Sequence, residues 1–127
     1  MLISDAETRI FVVDDDDGVR DSLMVLLEAH GMQVEAYAST ESFVASYRPH
    51  ARACLILDQH LGAASGLEFL TSAESDAIRV PVILVTGRGD DALRARALEA
   101  GAAAYLEKPL DETHLVAAID AAIANAE

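Results

Sequence analysis

Short apolar runs alternate with amphipathic stretches along the chain. Ile10-Phe11-Val12-Val13 reads as a strand and runs directly into four aspartates, Asp14, Asp15, Asp16 and Asp17. Val19, Leu23, Leu26 and Leu27 then recur at helical spacing. Gly31 follows, and can supply the left-handed residue that closes such a helix. Residues 33–37 alternate polar and apolar, the pattern of an edge-type strand. Residues 40–47 predict a short helix that must close before Pro49. Residues 53–57 are apolar throughout, as a central parallel strand covered on both faces requires. Ser65 and Glu68 stand at capping-box spacing ahead of a helix carrying Leu67, Phe69 and Leu70. Pro81 opens a further strand over 82–85, a position where proline is tolerated. Residues 90–100 predict an alanine-rich helix with acids at its positive end and Gly101 after it. A last strand over 103–106 precedes a helix capped by Asp111, with Leu115, Ile119, Ala122 and Ile123 on one face.

Five strands thus alternate with five helices through short links. That alternation predicts an α/β fold, a doubly wound five-stranded parallel sheet with helices on both faces. The length, 127 residues, suits one domain, expected to span 1–127 with a core over about 9–126. No repeat, linker or low-complexity segment interrupts it, and no output domain is read in this chain.

Apolar residues make up 52% of the chain, which excludes a disordered class. The formal net charge of −13 disfavours phosphate backbones, so direct nucleic-acid binding by this chain is not expected. The N-terminal residues carry neither a basic region nor a long apolar stretch, so neither a signal peptide nor a membrane span is expected. Cys54, the single cysteine, sits within an apolar run and reads as a small buried hydrophobe. All of this suits a cytoplasmic protein.

In open parallel sheets, ligand groups gather at the carboxyl ends of the strands. That rule selects Asp14 to Asp17 after the first strand, Asp58 after the third, Thr86 after the fourth and Lys108 after the fifth. Taken singly each is also an ordinary turn or strand-end residue. Lys108, however, is the only lysine, beside eight arginines, and a lysine supplies a compact point charge. Together the residues form a chemical set. Two or three carboxylates at one edge suit a hard divalent ion. A carboxylate can act as a nucleophile toward phosphorus, and phosphoryl transfer needs mainly positioning and charge neutralisation.

These residues resemble the response-regulator receiver domains, from Ile10 to the chain's end. Val-Val-Asp-Asp-Asp-Asp resembles the family's acidic opening, and Leu-Ile-Leu-Asp58 its phosphoacceptor segment. Ser65-Gly66-Leu67-Glu68, Val-Thr86-Gly-Arg-Gly-Asp and Tyr105-Leu-Glu-Lys108-Pro109 match later segments in the right order. The opening, the Thr-Gly-x-Gly-Asp stretch and the Glu-Lys-Pro segment are similar to the FixJ-like subgroup, whose members often carry a C-terminal helix-turn-helix domain.

The resemblance implies a CheY-like strand order of 2-1-3-4-5. It implies Asp58 as phosphoacceptor, assisted by Thr86 and Lys108. It implies Mg²⁺, replaceable by Mn²⁺, held by Asp14, Asp15, Asp58 and the backbone carbonyl of His60. Asp15 is expected as the direct ligand, Asp14 partly through water, and Asp16 as the cap of the first helix. Thr86 and Tyr105 are implied as the switch pair. The donor would be a histidine kinase or a histidine phosphotransfer protein, and the face made by the fourth helix, fifth strand and fifth helix would dock a partner or a second copy. Such a domain assists its own phosphorylation and dephosphorylation but is not a turnover enzyme. His60 and Arg88 flank the expected phosphoryl site and are candidates for setting its lifetime.

One departure stands out: Leu61 and Gly62 occupy the family's usual Met-Pro positions. Leucine replaces methionine conservatively, whereas glycine gives up proline's stiffness and predicts a more mobile loop. Three other readings compete. Asp15-Asp16-Asp17-Gly18-Val19 resembles the nucleophile motif of haloacid-dehalogenase phosphatases, but the chain is short for that fold and Asp58 is left unused. A calcium loop fails, because counting back from Gly18 puts its first and last ligands on Val13 and Met24. A degenerate receiver that binds a partner without phosphorylation is opposed by the intact set of Asp14, Asp15, Asp58, Thr86 and Lys108.

Overall fold

The computed structural model describes residues 8–126. The leader-free N-terminal reading falls on residues 1–7, which lie outside the described residues together with Glu127.

Five strands, β1 (Arg9–Val13), β2 (Gln33–Tyr37), β3 (Ala53–Asp58), β4 (Val82–Thr86) and β5 (Ala104–Glu107), form one parallel sheet. Their order is β2-β1-β3-β4-β5, as the resemblance implied. The helices are α1 (Asp17–Ala29), α2 (Thr40–Ser46), α3 (Gly66–Leu70), α4 (Asp91–Glu99) and α5 (Glu112–Ala126). No helix among the described residues is long and apolar enough to cross a membrane.

Successive strand residues point to opposite faces, so the apolar runs build two separate cores. Ile10, Val12, Cys54, Ile56, Ile83 and Val85 meet Leu23 and Leu27 of α1 and Leu115, Ile119 and Ile123 of α5. Phe11, Val13, Leu55, Leu57, Val82 and Leu84 meet Phe43 of α2, Phe69 of α3 and Ala97 of α4. β3 is buried at all six positions, which explains its lack of polar alternation. Phe43 is fully buried and its ring lies 5.3 Å from that of Phe11 and 6.4 Å from that of Phe69. The edge strand β2 is polar, with Glu35 accepting from Arg9 at 2.5 Å and from Tyr37 at 2.7 Å. A charged edge resists further strand pairing.

Short polar side chains fix the helix starts. Asp16 accepts from Val19 N–H at 2.9 Å, Ser65 from Glu68 N–H at 3.0 Å, Asp90 from Leu93 N–H at 2.7 Å and Asp111 from His114 N–H at 2.9 Å. Each such cap contributes about 1 kcal/mol. Asp16 therefore caps α1, as expected.

Two local features depart from the simple pattern. β5 lies one residue later than the apolar run suggested, because it pairs Ile83 with Ala104 and Thr86 with Glu107. The link between β3 and α3 forms its own two-residue antiparallel ribbon, pairing His60 with Ser65 and Leu61 with Ala64.

Candidate functional site

The sheet register brings the selected residues to one edge. Val13 is level with Leu57, and Asp58 with Val85, so the chain leaves β1, β3 and β4 at nearly the same height. Backbone hydrogen bonds extend the pairing past the strand ends: Asp14 N–H donates to the Tyr37 carbonyl at 3.1 Å, Gln59 to Val85 at 2.8 Å and Lys108 to Thr86 at 2.8 Å. Asp14, Asp58, Thr86 and Lys108 are thus held by the sheet rather than by mobile loops.

Asp14, Asp58 and Lys108 open onto a cleft of about 470 Å³ whose lining also includes Asp15, His60 and Arg88. Asp14 and Asp58 are almost fully buried, at 3% and 4% exposure, whereas Asp15 is exposed. Lys108 Nζ donates to Asp14 Oδ2 at 3.0 Å and lies 3.4 Å from Asp58 Oδ1. The second distance is an ion pair without hydrogen-bond alignment: Asp58 Oδ1 is buried and accepts no hydrogen bond. Asp14 is otherwise well held, with its Oδ1 accepting from Asp16 N–H at 2.9 Å and its carbonyl from Arg20 at 2.6 Å.

This electrostatic arrangement is tense. Burial, and then the neighbouring charge of Asp14, raise the pKa of Asp58 above the ordinary carboxyl value, although Lys108 and the His60 backbone pull it down. For Lys108, burial acts to lower the pKa, but the hydrogen bond and charge of Asp14, with Asp58, outweigh it and the net shift is upward. One ammonium thus faces two carboxylates, and the site is short of positive charge.

A divalent cation fits that shortage. Asp14, Asp15 and Asp58 each offer a carboxylate oxygen, and the three oxygens lie within 4.8 Å of one another. Oxygens around a small octahedral ion sit about 3–4 Å apart at the usual bond length of about 2.1 Å. Asp58 Oδ1, buried without a hydrogen-bond donor, has the desolvated lone pairs such an ion would satisfy.

The remaining expected residues are also close. Thr86 is fully buried; its Oγ1 accepts from Arg88 N–H at 3.0 Å and lies 3.4 Å from His60 Nε2. Tyr105 is half-buried, and its hydroxyl is enclosed without a partner beside Gly89, where an added Cβ would also meet Thr86 Cγ2 at 3.0 Å. Burial, then the charges of Glu107 and Asp90, raise its pKa.

Three supporting groups were not anticipated. Arg20 reaches back to the Asp14 carbonyl, and nothing in its spacing distinguishes it from a solvated helix residue. Gln59 ties the loop after β3 to α3, its backbone oxygen accepting from Gly66 N–H at 3.0 Å and its side chain from Leu67 N–H at 2.9 Å. Gly62 donates its N–H to Asp15 Oδ2 at 3.1 Å.

A family profile described as the response regulator receiver domain matches residues 10–120. The chain belongs to that family. Among curated proteins, this receiver domain is 39% identical over 114 residues to the transcriptional regulatory protein FixJ of Azorhizobium caulinodans, covering 90% of this chain and 54% of that protein. It is 36% identical over 121 residues to nodulation protein W of Bradyrhizobium diazoefficiens, covering 94% and 53% respectively. Among solved structures, the response regulator StyR superposes with a TM-score of 0.83 at 34% identity, over 94% of this chain and 60% of that one. The receiver is therefore FixJ-like, of the two-component response-regulator class, and it spans about half the length of the curated relatives it matches. Membership over almost the whole chain removes the phosphatase reading.

Proposed function

We propose that the domain accepts a phosphoryl group on Asp58 from a phosphohistidine donor and relays the event through its α4-β5-α5 face. The observation that carries this reading is Asp58 itself. It ends a fully buried strand, lines an open cleft and holds its carboxylate 3.4 Å from the Lys108 ammonium.

In the proposed step an Asp58 carboxylate oxygen attacks phosphorus in line. The phosphorus–nitrogen bond of the donor breaks, its electron pair returns to the imidazole, and an acyl phosphate remains on Asp58. Lys108 Nζ moves from the two carboxylates to a phosphoryl oxygen, and Thr86 donates its hydroxyl to another. Asp14, Asp15, Asp58 and the His60 carbonyl would hold Mg²⁺, or Mn²⁺ in its place, which supplies charge neutralisation for the incoming phosphoryl oxygens. Hydrolysis by water returns the carboxylate and releases inorganic phosphate, so the domain cycles without turning over a small-molecule substrate.

Withdrawal of Thr86 toward the phosphoryl group frees space beside Gly89 into which the Tyr105 ring can turn. That movement reshapes the surface of α4, β5 and α5. The partners proposed are a histidine kinase or phosphotransfer protein on the input side, and an output domain or a second copy on the α4-β5-α5 side, all in the cytoplasm. Residues 1–127 act as one receiver unit in this scheme.

Intact-protein mass spectrometry after incubation with acetyl phosphate and Mg²⁺ tests the reading. A single labile phosphate adduct in wild type, absent from Asp58→Asn and from wild type with chelator, is expected. An adduct that persists in Asp58→Asn would overturn the assignment.

A further inference from the structure

The loop after β3 carries a glycine, Gly62, at a point where the chain turns inside the ribbon of residues 60–65. Its φ is +66°, the left-handed region that residues with a Cβ enter at a cost. An added Cβ at this position would meet nothing within 4 Å. The demand for glycine is therefore conformational and not a matter of space. The turn aims the Gly62 N–H across the cleft mouth at Asp15 Oδ2, 3.1 Å away, on the loop after β1. The turn is anchored on both sides, by the pairing of His60 with Ser65 and by Leu61 packing against the second core.

Asp15 differs from the other two carboxylates of the cluster. Asp14 is buried and fixed by Lys108 and by the Asp16 N–H, and Asp58 is buried at a strand end. Asp15 is exposed, and the Gly62 N–H is the backbone donor that orients it. An exposed carboxylate otherwise samples several rotamers, and ordering it on ion binding costs affinity.

We propose that the Gly62 backbone N–H is a positioning group for the cation site: it fixes Asp15 through Oδ2, leaves the other oxygen free to ligate, and couples the β3–α3 loop to ion binding. This rests on the reading that Asp15 helps hold the cation. The coupling runs both ways, because an ion that orders Asp15 also orders the residue it accepts from. A proline at this position could not serve, since it has no N–H and its ring fixes φ near −65°.

The test uses Mn²⁺ binding by calorimetry together with amide spectra, on the whole chain without any phosphodonor. Gly62→Ala keeps the N–H but strains φ; Gly62→Pro removes the N–H as well. Loss of an outer-shell partner typically weakens metal affinity tenfold or more; for a bond this exposed we expect Gly62→Pro to weaken Mn²⁺ binding about three- to tenfold, and Gly62→Ala less. Equal effects in the two variants, or none in either, would overturn the proposal. If Gly62→Pro does not fold, the wild-type Gly62 amide decides. In metal-free protein, Asp15→Ala should shift that amide upfield and speed its exchange with solvent, and an unmoved amide overturns the proposal. Asp15→Ala separately tests the underlying reading: unchanged Mn²⁺ affinity there would remove Asp15 from the cation site and with it the positioning role of the Gly62 N–H, whereas the amide shift in the same variant reports only on the Gly62–Asp15 bond of the wild type.

Discussion

Gly66 packs its Cα face directly on the backbone of Asp58. A Cβ built there would stand 2.5 Å from the Asp58 carbonyl oxygen, 2.7 Å from Leu84 Cδ1 and 3.1 Å from Leu57 Cγ. The nearest of these atoms is backbone at the end of the central strand, and cannot rotate away. Gly66→Ala must therefore push α3 off the sheet or displace Asp58. Overpacking of a tight core costs about 1–3 kcal/mol, and a backbone obstacle puts this case at about 2–3 kcal/mol. For a domain of this size each kcal/mol lowers Tm by about 3–6 °C, so a fall of about 6–18 °C is expected in thermal unfolding followed by circular dichroism. Gly62→Ala is the control, since its cost is left-handed strain alone, about 1–2 kcal/mol. Phosphorylation by acetyl phosphate should slow in Gly66→Ala at temperatures where the domain is still folded. A loss below about 0.5 kcal/mol, with unchanged phosphorylation, would refute the reasoning that Gly66 sets the position of Asp58; such a result falls within ordinary surface substitutions.

Other expectations follow from the same geometry. The folded state binds the Asp58 proton more tightly than the unfolded chain does, because burial and then Asp14 raise its pKa above the ordinary value of 3.8. The contribution of Asp58 to stability is thus most favourable below that value and diminishes as pH rises through the folded-state pKa. Asp58→Asn should be more stable than wild type at pH 7 in chelator, with the gap closing toward pH 3; urea midpoints across pH measure it, and equal midpoints at pH 7 count against it. Lys108→Ala leaves Asp14 and Asp58 facing each other. Its partial exposure of 26% tempers the loss to about 1–3 kcal/mol, and added Mg²⁺ should recover part of that in thermal unfolding. Burial pushes the Cys54 thiol up to about 12, so Ellman's reagent at pH 8 should leave the native protein unlabelled and react fully in urea.

The strand pattern was legible because parallel strands buried on both faces need uninterrupted apolar runs, and β3 and β4 are buried throughout. Caps at Asp16, Ser65 and Asp111 were legible because short polar side chains before an apolar helical face have one local use. The short length of α3 was harder to see. Thr71 and Ser72 hydroxyls donate to the Leu67 and Phe69 carbonyls at 3.1 and 2.7 Å, and Ser75 to Leu70 at 2.9 Å. These bonds compete with the helical ladder, and the chain continues as a 3₁₀ turn over Ala73–Ala77. At the site, the acids, Thr86 and Lys108 were legible from their place after strands. Their gathering rests on sheet register, which single-residue patterns specify only when combined with strand order. Gly62 stood out as a departure, and loss of proline's stiffness was its visible consequence. Its bond to Asp15 spans 47 positions of sequence and belongs to the loop's three-dimensional course.

The most direct measurement of the central claim is site-resolved trapping of the acyl phosphate. The domain is incubated with acetyl phosphate and Mg²⁺, reduced with borohydride, digested and sequenced by mass spectrometry. An aspartyl phosphate is reduced to homoserine, and that conversion is expected at residue 58 alone, lost when Mg²⁺ is chelated. Homoserine at Asp14, Asp15 or another carboxylate, with residue 58 unchanged, would contradict it.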